Sequence, residues 1–265
     1  MSDDELVFEE TGPVVTLSFN RPAARNALTL AMLAELAGGL QCCAARTDLR
    51  AVVLRGAGQQ PFSAGYNIDQ LPGHSLSAGD ARRIHAPVRA VAKAILECPH
   101  PVIGAARKFV FGAALDIFCH CDLRVCTEGT MFCMPPNRYG FLYPSEGMQA
   151  LADVIGLSHA TEMLLLGVSV PTVDAAAWGL AQKVFAPDAF EAGLKAICDA
   201  VANNAPLSMR ETKRALQALR KPPGDGSALA RDRMYARIAA SLNSADVREA
   251  MTAFREKRPP QFLGH

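Results

Sequence analysis

The 265-residue chain has almost no excess of charge, since 27 Lys and Arg face 26 Asp and Glu and the formal net charge is +1. It also lacks a basic run, so nucleic acid and anionic membranes are not expected partners. No stretch is long and apolar enough to cross a membrane. The first six residues are acidic and lack an apolar core, which argues against a signal peptide. We therefore expect a cytoplasmic protein.

Common signature motifs are absent as well. The sequence has no Gly-x-Gly-x-x-Gly, Walker, His-Glu-x-x-His or Gly-x-Ser-x-Gly pattern. Dinucleotide-binding, P-loop, zinc-protease and α/β-hydrolase functions therefore have no support. The six histidines form no evident cluster along the chain.

Eight cysteines are present, but they do not indicate a disulfide framework. They lie in apolar segments of a long chain, where reduced thiols act as small hydrophobic groups. The run Cys119-His120-Cys121 lacks the Cys-x-x-Cys spacing of structural zinc sites, and neighbouring positions on a helix point in different directions. We interpret this run as the buried flank of a helix and expect no metal.

Apolar periodicity predicts an α/β fold. Strands are predicted at 13–19, 51–55, 101–104, 123–126, 131–134 and 183–186. Helices are predicted at 30–45, 80–97, 145–155, 158–166, 172–179, 188–203, 206–219 and 227–255, with Thr29 and Ser145 as candidate N-caps. Residues 72–79 are predicted to form a mobile loop, and the proline-containing stretch 135–144 a shaped one. We divide the chain into a core, residues 1–190, and a helical C-terminal region, residues 191–265.

Residues 100–117 are predicted to form a buried strand, a tight turn at Gly112 and the start of a helix. The first amides of a helix have no partner inside it, and the helix dipole adds partial positive charge there. Gly112, Ala113 and Ala114 could therefore stabilise negative charge on a carbonyl oxygen. Asp116 follows in the first turn. Close packing of the helix on a sheet is the alternative explanation for these small residues.

A second loop rich in small residues lies at 59–69. Together, Phe62-Ser63-Ala64-Gly65-Tyr66-Asn67-Ile68 and Phe111-Gly112-Ala113-Ala114-Leu115-Asp116 resemble the paired oxyanion signature of the enoyl-CoA hydratase/isomerase, or crotonase, superfamily. Residues 20–28, 121–123, 177–181 and 249–258 extend the resemblance over most of the chain.

The resemblance implies a crotonase, ClpP-like spiral of β-β-α units with a helical C-terminal region that mediates trimer contacts, often in a dimer of trimers. It also implies an acyl-CoA thioester substrate and no cofactor beyond the coenzyme A that the substrate carries. The backbone amides of Tyr66 and Ala113 would form an oxyanion hole. Two preorganised amides favour an enolate over the uncharged thioester from which it forms.

The resemblance also implies a binding site for the substrate and its coenzyme A. Ala24, Arg25 and Ala64 match positions that hold the adenine end, and Lys257 matches a residue that reaches the phosphates. Ile68 and Gly112 complete the substrate-binding set. An exposed Arg25 or Lys257 that serves only solubility is the alternative.

Hydratases of this family use two glutamates to position and activate water. Here the first position is Asp116 and the second is Pro136, which has no ionisable group. Glu146 could replace the missing acid, although it could equally be a residue that the helix dipole favours at a helix start.

A more specific resemblance is to the bacterial methylmalonyl-CoA decarboxylase branch. It rests on residues 62–72, 134–143 and 256–265, and it places Tyr143 on that branch's active-site tyrosine and Asp116 on its glutamate. Loss of carbon dioxide from such a substrate leaves a thioester enolate, and no base is needed to remove a proton. The chain departs from the branch at five positions: Tyr66 replaces histidine, Asn67 aspartate, Ala113 glycine, Asp116 glutamate and Pro135 threonine.

The sequence thus favours a lyase that decarboxylates a methylmalonyl-CoA-like substrate, with Tyr143 orienting the departing carboxylate or protonating the enolate. The alternative is an enoyl-CoA hydratase or isomerase that uses Asp116 with Glu146. A non-catalytic CoA-binding or RNA-binding homologue is the third hypothesis.

Overall fold

The computed structural model describes residues 4–67, 77–204, 206–219 and 245–258, together with residues 235, 236, 239, 242, 243 and 260. Most of the predicted loop 72–79 and most of the first half of the predicted helix 227–255 lie outside the described residues.

Strands and helices alternate through most of the described chain. The strands are β1 (Leu6–Thr11), β2 (Val14–Phe19), β3 (Ala51–Gly56), β4 (Val102–Ala106), β5 (Phe109–Phe111), β6 (Leu123–Thr127), β7 (Met131–Cys133), β8 (Val170–Pro171) and β9 (Lys183–Phe185). The helices are α1 (Leu30–Ala45), α2 (Ala78–Glu97), α3 (Ala113–His120), α4 (Ser145–Leu166), α5 (Thr172–Ala177), α6 (Phe190–Ala202), α7 (Pro206–Leu219) and α8 (Ala245–Glu256), and 3₁₀ turns form at Pro22–Ala24 and Pro136–Tyr139. The α/β class predicted from the sequence is confirmed.

Two sheets carry the strands. The larger has the order β1-β2-β3-β4-β6-β9, in which β1 is antiparallel to β2 and all other pairs are parallel. The smaller has the order β5-β7-β8. The sequence patterns do not predict β1 or β8. Four of the six residues of β1 are exposed, so this edge strand has little of the apolar alternation by which strands are recognised.

Strand β3 lies at the centre of the fold and has apolar neighbours on both faces. Val52 and Leu54 belong to the main core, with side chains from α1, α2 and α3, whereas Ala51 and Val53 pack with Phe190 and its neighbours on α6. A parallel strand that is covered on both faces reads as a continuous apolar run, which is why the sequence predicts this strand so well.

The segment before Gly112 differs from the prediction. Instead of one strand, the structure has β4 in the larger sheet and β5 in the smaller one, separated by a turn at Lys108, where φ is +62°. Strand β5 pairs with β7 in parallel, and its Val110 forms an isolated β-bridge with Ser63. The turn therefore brings the chain before Gly112 against the loop at 61–66.

The predicted helix boundaries and caps have mixed outcomes. Thr29 caps α1 as predicted, because its Oγ1 accepts a hydrogen bond from Met32 N at 3.1 Å. Ser145 does not cap α4: it is the first helical residue, and its hydroxyl bonds Glu146 instead. The two helices predicted at 145–155 and 158–166 are confirmed: α4 comprises two helical segments that meet at a kink at Gly156, where φ is +77° and ψ is 154°.

The prediction that the cysteines act as small hydrophobic groups is confirmed for seven of the eight, which are buried free thiols, whereas Cys42 is an exposed free thiol. Cys119 and Cys121 are buried. Within the described ranges, no three His, Cys, Asp or Glu side chains group as metal ligands do. The same ranges contain no helix long and apolar enough to span a bilayer.

Lys213 ties helix α7 to the core through an ion pair in which Lys213 is buried and Asp122 is partly buried. Its ammonium lies 2.6 Å from Asp122 Oδ2 and donates hydrogen bonds to the carbonyl oxygens of Ile95 and His100. The Asp122 carboxylate also accepts from Val102 N at 2.7 Å. The charges of both partners are thus satisfied by contacts that only the folded chain provides.

We expect Lys213→Met to lower the free energy of unfolding by about 3–5 kcal/mol, because it leaves the Asp122 carboxylate without its cation. Lys195→Met is the matched control: Lys195 pairs with Asp199 at 2.6 Å on the exposed face of α6, and such pairs contribute about 1 kcal/mol or less. Urea denaturation of both variants measures the difference. Equal losses would contradict the anchoring role of Lys213.

Candidate active site

Asn26 joins two loops that lie on one side of the site. It is fully buried, its Nδ2 donates to the Pro61 carbonyl at 2.7 Å, and its Oδ1 accepts from Arg21 N at 2.7 Å. Its φ of +55° is one that asparagine tolerates better than most residues. The sequence analysis assigned Asn26 no role of its own, although an asparagine next to a turn is the available signal.

The backbone between Leu28 and Tyr66 sets the direction of one amide. Leu28 N donates to the Gly65 carbonyl at 2.7 Å, and Asn67 N donates to the Leu28 carbonyl at 2.9 Å. In this parallel bridge the N–H and C=O groups of Leu28 both bond to residues on either side of Tyr66, and neither bonds to Tyr66 itself. The N–H of Tyr66 therefore points away from the bridge.

The second amide belongs to Ala113, the first residue of α3. Gly112 precedes it with φ +53° and ψ −123°, a conformation that only glycine adopts readily. The Gly112 N–H is used by the Cys133 carbonyl at 2.8 Å. As the first amide of the helix, Ala113 N–H has no acceptor within α3.

Gly65 allows the two loops to touch. Its φ is +95°, and a Cβ built on it would lie 2.7 Å from the Phe111 carbonyl oxygen and 3.6 Å from Ala113 N. Among the described residues, neither the Tyr66 N–H nor the Ala113 N–H has a hydrogen-bond acceptor. The structure thus places two free amides beside each other, an arrangement that can hold an oxyanion.

Tyr66 and Ala113 both line a cavity of about 600 Å³. Seven of the predicted site residues line it: Ala24, Arg25, Ala64, Tyr66, Gly112, Ala113 and Tyr143. Most of the remaining wall is apolar and includes Pro136, which the sequence analysis assigns to the position of the second hydratase glutamate. The cavity is large enough for a small acyl-thioester group.

Asp116 and Tyr143 form a buried pair at the cavity wall. The Tyr143 hydroxyl donates to Asp116 Oδ2 at 3.0 Å, and the two residues are only 5% and 7% exposed. Burial and the neighbouring Asp116 charge raise the pKa of Tyr143 well above its usual value, so the phenol stays protonated. Gly147 makes room for the pair, because a Cβ there would lie 2.6 Å from Asp116 Oδ2.

Glu146 and Asp116 are not among the described residues that line the cavity. Glu146 lies in the first turn of α4, where its Oε2 accepts from the Ser145 hydroxyl at 3.1 Å and its Oε1 lies 3.8 Å from Arg89 Nε. In this structure neither carboxylate is therefore part of the described cavity lining. Their catalytic roles stay predictions.

His85 is a cavity residue that the sequence analysis did not single out. Its ring lies edge-on to Tyr143, with the ring centroids 6.1 Å apart. Burial lowers the pKa of His85 to about 4. The charges of Asp116 and Glu146 raise this pKa, but their effect is smaller than that of burial. No spacing in the sequence links these four residues, because α2, α3 and the start of α4 bring them together.

A weaker signal for His85 is present in the sequence of α2. Ala81, Val88, Ala92 and Ile95 are buried and follow the spacing of one helix face. His85 falls on the same face, where an apolar residue is the usual occupant. A histidine in an apolar stripe is therefore the feature that could have identified it.

Two predicted binding residues are not brought to the cavity by the described structure. Ile68 lies outside the described residues. Lys257 is exposed just after α8, with φ +54°. Phe254, one turn earlier, lines the cavity and contacts Tyr139 edge-on with centroids 6.5 Å apart, so Lys257 lies near this end of the site. Its role in binding phosphate stays a prediction.

The chain is similar to known proteins over nearly its whole length. The sequence profile described as Enoyl-CoA hydratase/isomerase matches residues 9–265. The 2,3-dehydroadipyl-CoA hydratase of Escherichia coli K12 is 29% identical over 263 residues, which cover 98% of this chain and 99% of that protein. The methylmalonyl-CoA decarboxylase of the same strain is 28% identical over 257 residues, 95% of each chain. A crystal structure titled methylmalonyl-CoA decarboxylase in complex with 2-nitronate-propionyl-CoA shares a TM-score of 0.89 and 25% identity over the full length of both chains.

Proposed function

Because this chain belongs to the enoyl-CoA hydratase/isomerase, or crotonase, family, we propose that it decarboxylates a methylmalonyl-CoA-like thioester through an enolate. The crotonase fold expected from the sequence is confirmed by the similarity to solved family members. The chain is a crotonase-family acyl-CoA enzyme. Hydratase and decarboxylase relatives have nearly equal identity, so the choice of reaction is argued from the site.

The observation that carries the proposal is the pairing of two free amides, those of Tyr66 and Ala113, with an apolar wall at Pro136. The amides can hold the oxygen of a thioester enolate, while the described residues that line the cavity include no carboxylate to activate water. Decarboxylation needs only the two amides. The electron pair of the enolate comes from the carbon–carbon bond that breaks, so neither a base nor an activated water is required.

The reaction is balanced as follows. The bond between the α carbon and the carboxylate breaks, carbon dioxide leaves, and the electron pair is delocalised onto the thioester oxygen at the two amides. A proton then adds to the α carbon, and the carbonyl is restored. One proton is consumed in each turnover, and no cofactor beyond the coenzyme A of the substrate takes part.

The side chains around the amides have supporting roles in this proposal. Arg25, at the cavity edge, and Lys257 bind the coenzyme A portion. Tyr143, held by Asp116 at 3.0 Å, forms the wall against which the carboxylate is oriented. The poorly solvated surroundings of that carboxylate favour its loss as neutral carbon dioxide.

The test is mass spectrometry of the purified protein incubated separately with methylmalonyl-CoA and crotonyl-CoA. The proposal predicts conversion of the first to propionyl-CoA above a no-enzyme control. Hydration or isomerisation of crotonyl-type substrates, abolished by Glu146→Gln, would instead support the alternative that uses Asp116 with Glu146. Binding of both thioesters without turnover would support a non-catalytic homologue.

We also propose that the enzyme is a homotrimer or a homohexamer. Support comes from large apolar side chains that the single chain leaves exposed between residues 157 and 173: Leu157, Leu165, Leu166 and Val173 are 75%, 69%, 61% and 72% exposed. Contact with another copy of the chain would remove them from water.

We expect the double variant Leu165→Lys, Leu166→Lys to lower the mass measured by light scattering toward that of a single chain. Leu30→Lys is the matched control, since Leu30 is an exposed leucine at the start of α1. An unchanged mass in the double variant would exclude this patch from the interface.

A further inference from the structure

His85 stands at the point where three other elements bring polar groups together. Asp116 comes from α3, Tyr143 from the segment before α4, and Glu146 from the first turn of α4. A third charged group, Arg89, lies one turn further along α2, and its Nε is 3.8 Å from Glu146 Oε1. The His85 Nε2 is enclosed and has no hydrogen-bond partner among the residues that the structure describes.

The other titratable groups of this cluster are not suited to donate a proton into the cavity. The Tyr143 hydroxyl donates to Asp116 Oδ2, so giving its proton to a substrate would break a buried hydrogen bond. Asp116 and Glu146 are not among the described residues that line the cavity. His85 lines the cavity and is the side chain of this cluster whose ordinary pKa lies near neutral pH.

We propose that His85 is the catalytic residue that transfers a proton to the α carbon of the bound thioester enolate. The inference rests on the enolate of the proposed function, but not on decarboxylation as its source. In this step an N–H bond of the imidazolium breaks, and the enolate electron pair forms the new C–H bond. The thioester carbonyl is restored, and neutral His85 then takes up a proton from solvent.

The electrostatics of the site explain how His85 is charged at the right stage. In the free site burial lowers the pKa of His85 to about 4, so it is neutral at pH 7 although Asp116 and Glu146 raise that pKa. A substrate carboxylate adds another negative charge to the same cavity and favours the imidazolium. When carbon dioxide leaves, that charge moves to the thioester oxygen and the proton moves to carbon.

The same step must run in reverse on a saturated acyl-CoA. Neutral His85 would remove an α proton from bound propionyl-CoA, and the Tyr66 and Ala113 amides would hold the enolate. In deuterium oxide this exchange replaces the α hydrogens of propionyl-CoA with deuterium. Exchange requires no loss of carbon dioxide, so it separates this inference from the proposed reaction.

The experiment compares α-hydrogen exchange of propionyl-CoA in deuterium oxide, measured by mass spectrometry, for the wild type and for His85→Gln. We expect the variant to exchange about 10²-fold or more slowly, the usual contribution of a general acid or base, while its dissociation constant for propionyl-CoA stays within about threefold of the wild type. His159→Gln is the matched control, because His159 lies on α4, stacked on Trp178 with centroids 4.3 Å apart, and does not line the cavity.

The pH profile adds a readout that a purely structural role would not change. A base must be unprotonated, and the pKa of His85 is about 4. Wild-type exchange is therefore expected to be constant above about pH 5 and to fall as the pH approaches 4. The residual exchange of His85→Gln should lack this fall. His85→Asn provides a second non-titrating variant should the glutamine disturb folding.

The outcomes distinguish the proton-transfer role of His85 from the proposed decarboxylation. Exchange by the wild type that is lost in both His85 variants supports the inference, even if methylmalonyl-CoA is not converted. Equal exchange by the wild type and the variants would overturn it. It would also be overturned by a wild type that binds propionyl-CoA without exchanging its α hydrogens. Failure of decarboxylation alone would count against the proposed function and not against His85.

Discussion

Gly65→Ala is expected to reduce turnover of the thioester substrate by about 10²-fold or more, the effect of losing an oxyanion-hole donor. A Cβ at residue 65 would lie 2.7 Å from the Phe111 carbonyl oxygen, so the loop that carries Tyr66 must move away from the start of α3. The amides of Tyr66 and Ala113 would then no longer converge on one oxygen. The measurement is kcat and KM with methylmalonyl-CoA.

The matched control for this variant is Gly129→Ala. Gly129 has φ +74°, similar to the +95° of Gly65, but a Cβ there has no atom within 4 Å. Both variants therefore carry the strain of alanine at positive φ, and only Gly65→Ala also separates the two loops. A similar loss of turnover in both would mean that backbone strain, and not the amide geometry, causes the effect.

Tyr143→Phe is expected to lower kcat by about 10²-fold, within the range found for groups that take part in proton transfer or orient the reacting atoms. Removing the hydroxyl leaves buried Asp116 Oδ2 without its donor at 3.0 Å, and an unsatisfied buried acceptor costs about 1–3 kcal/mol. The carboxylate and the ring beside His85 would both lose their fixed positions. The affinity for coenzyme A should change little, because Arg25, which we propose binds coenzyme A, is not part of this pair.

Tyr139→Phe is the comparison that isolates this role. Tyr139 lines the same cavity, but its hydroxyl has no hydrogen-bond partner among the described residues. Its removal is expected to leave kcat within about threefold of the wild type. Steady-state kinetics and isothermal titration with coenzyme A separate catalysis from binding for both variants. Unchanged turnover in Tyr143→Phe would refute the assignment of Tyr143.

The two glycine-containing turns that form the proposed oxyanion site are predictable from the sequence. Gly112 at a strand-to-helix turn and the small residues around Gly65 both indicate close backbone approach, and the structure brings them into contact. Close backbone approach requires conformations that glycine adopts most readily, so a glycine in the sequence indicates such a position. The central strand β3 is equally predictable, because its burial on both faces leaves a continuous apolar run.

Other features depend on contacts that no local pattern records. The separation of β4 from β5 rests on a left-handed Lys108, a conformation that a lysine does not indicate in the sequence. The grouping of His85 with Asp116, Tyr143 and Glu146 arises only when α2, α3 and α4 pack together. Ser145 resembles a cap, but α4 begins one residue earlier than a capping serine would require.

The central claim is that the Tyr66 and Ala113 amides stabilise a thioester enolate, and the most direct measurement is the affinity for an enolate mimic. Isothermal titration would compare the nitronate of a 2-nitropropionyl-CoA with propionyl-CoA. We predict that the nitronate binds about 10²-fold or more tightly, as expected for an analogue of the charged state, and that Gly65→Ala removes most of this preference. Equal affinities for the two thioesters in the wild-type protein would contradict the claim.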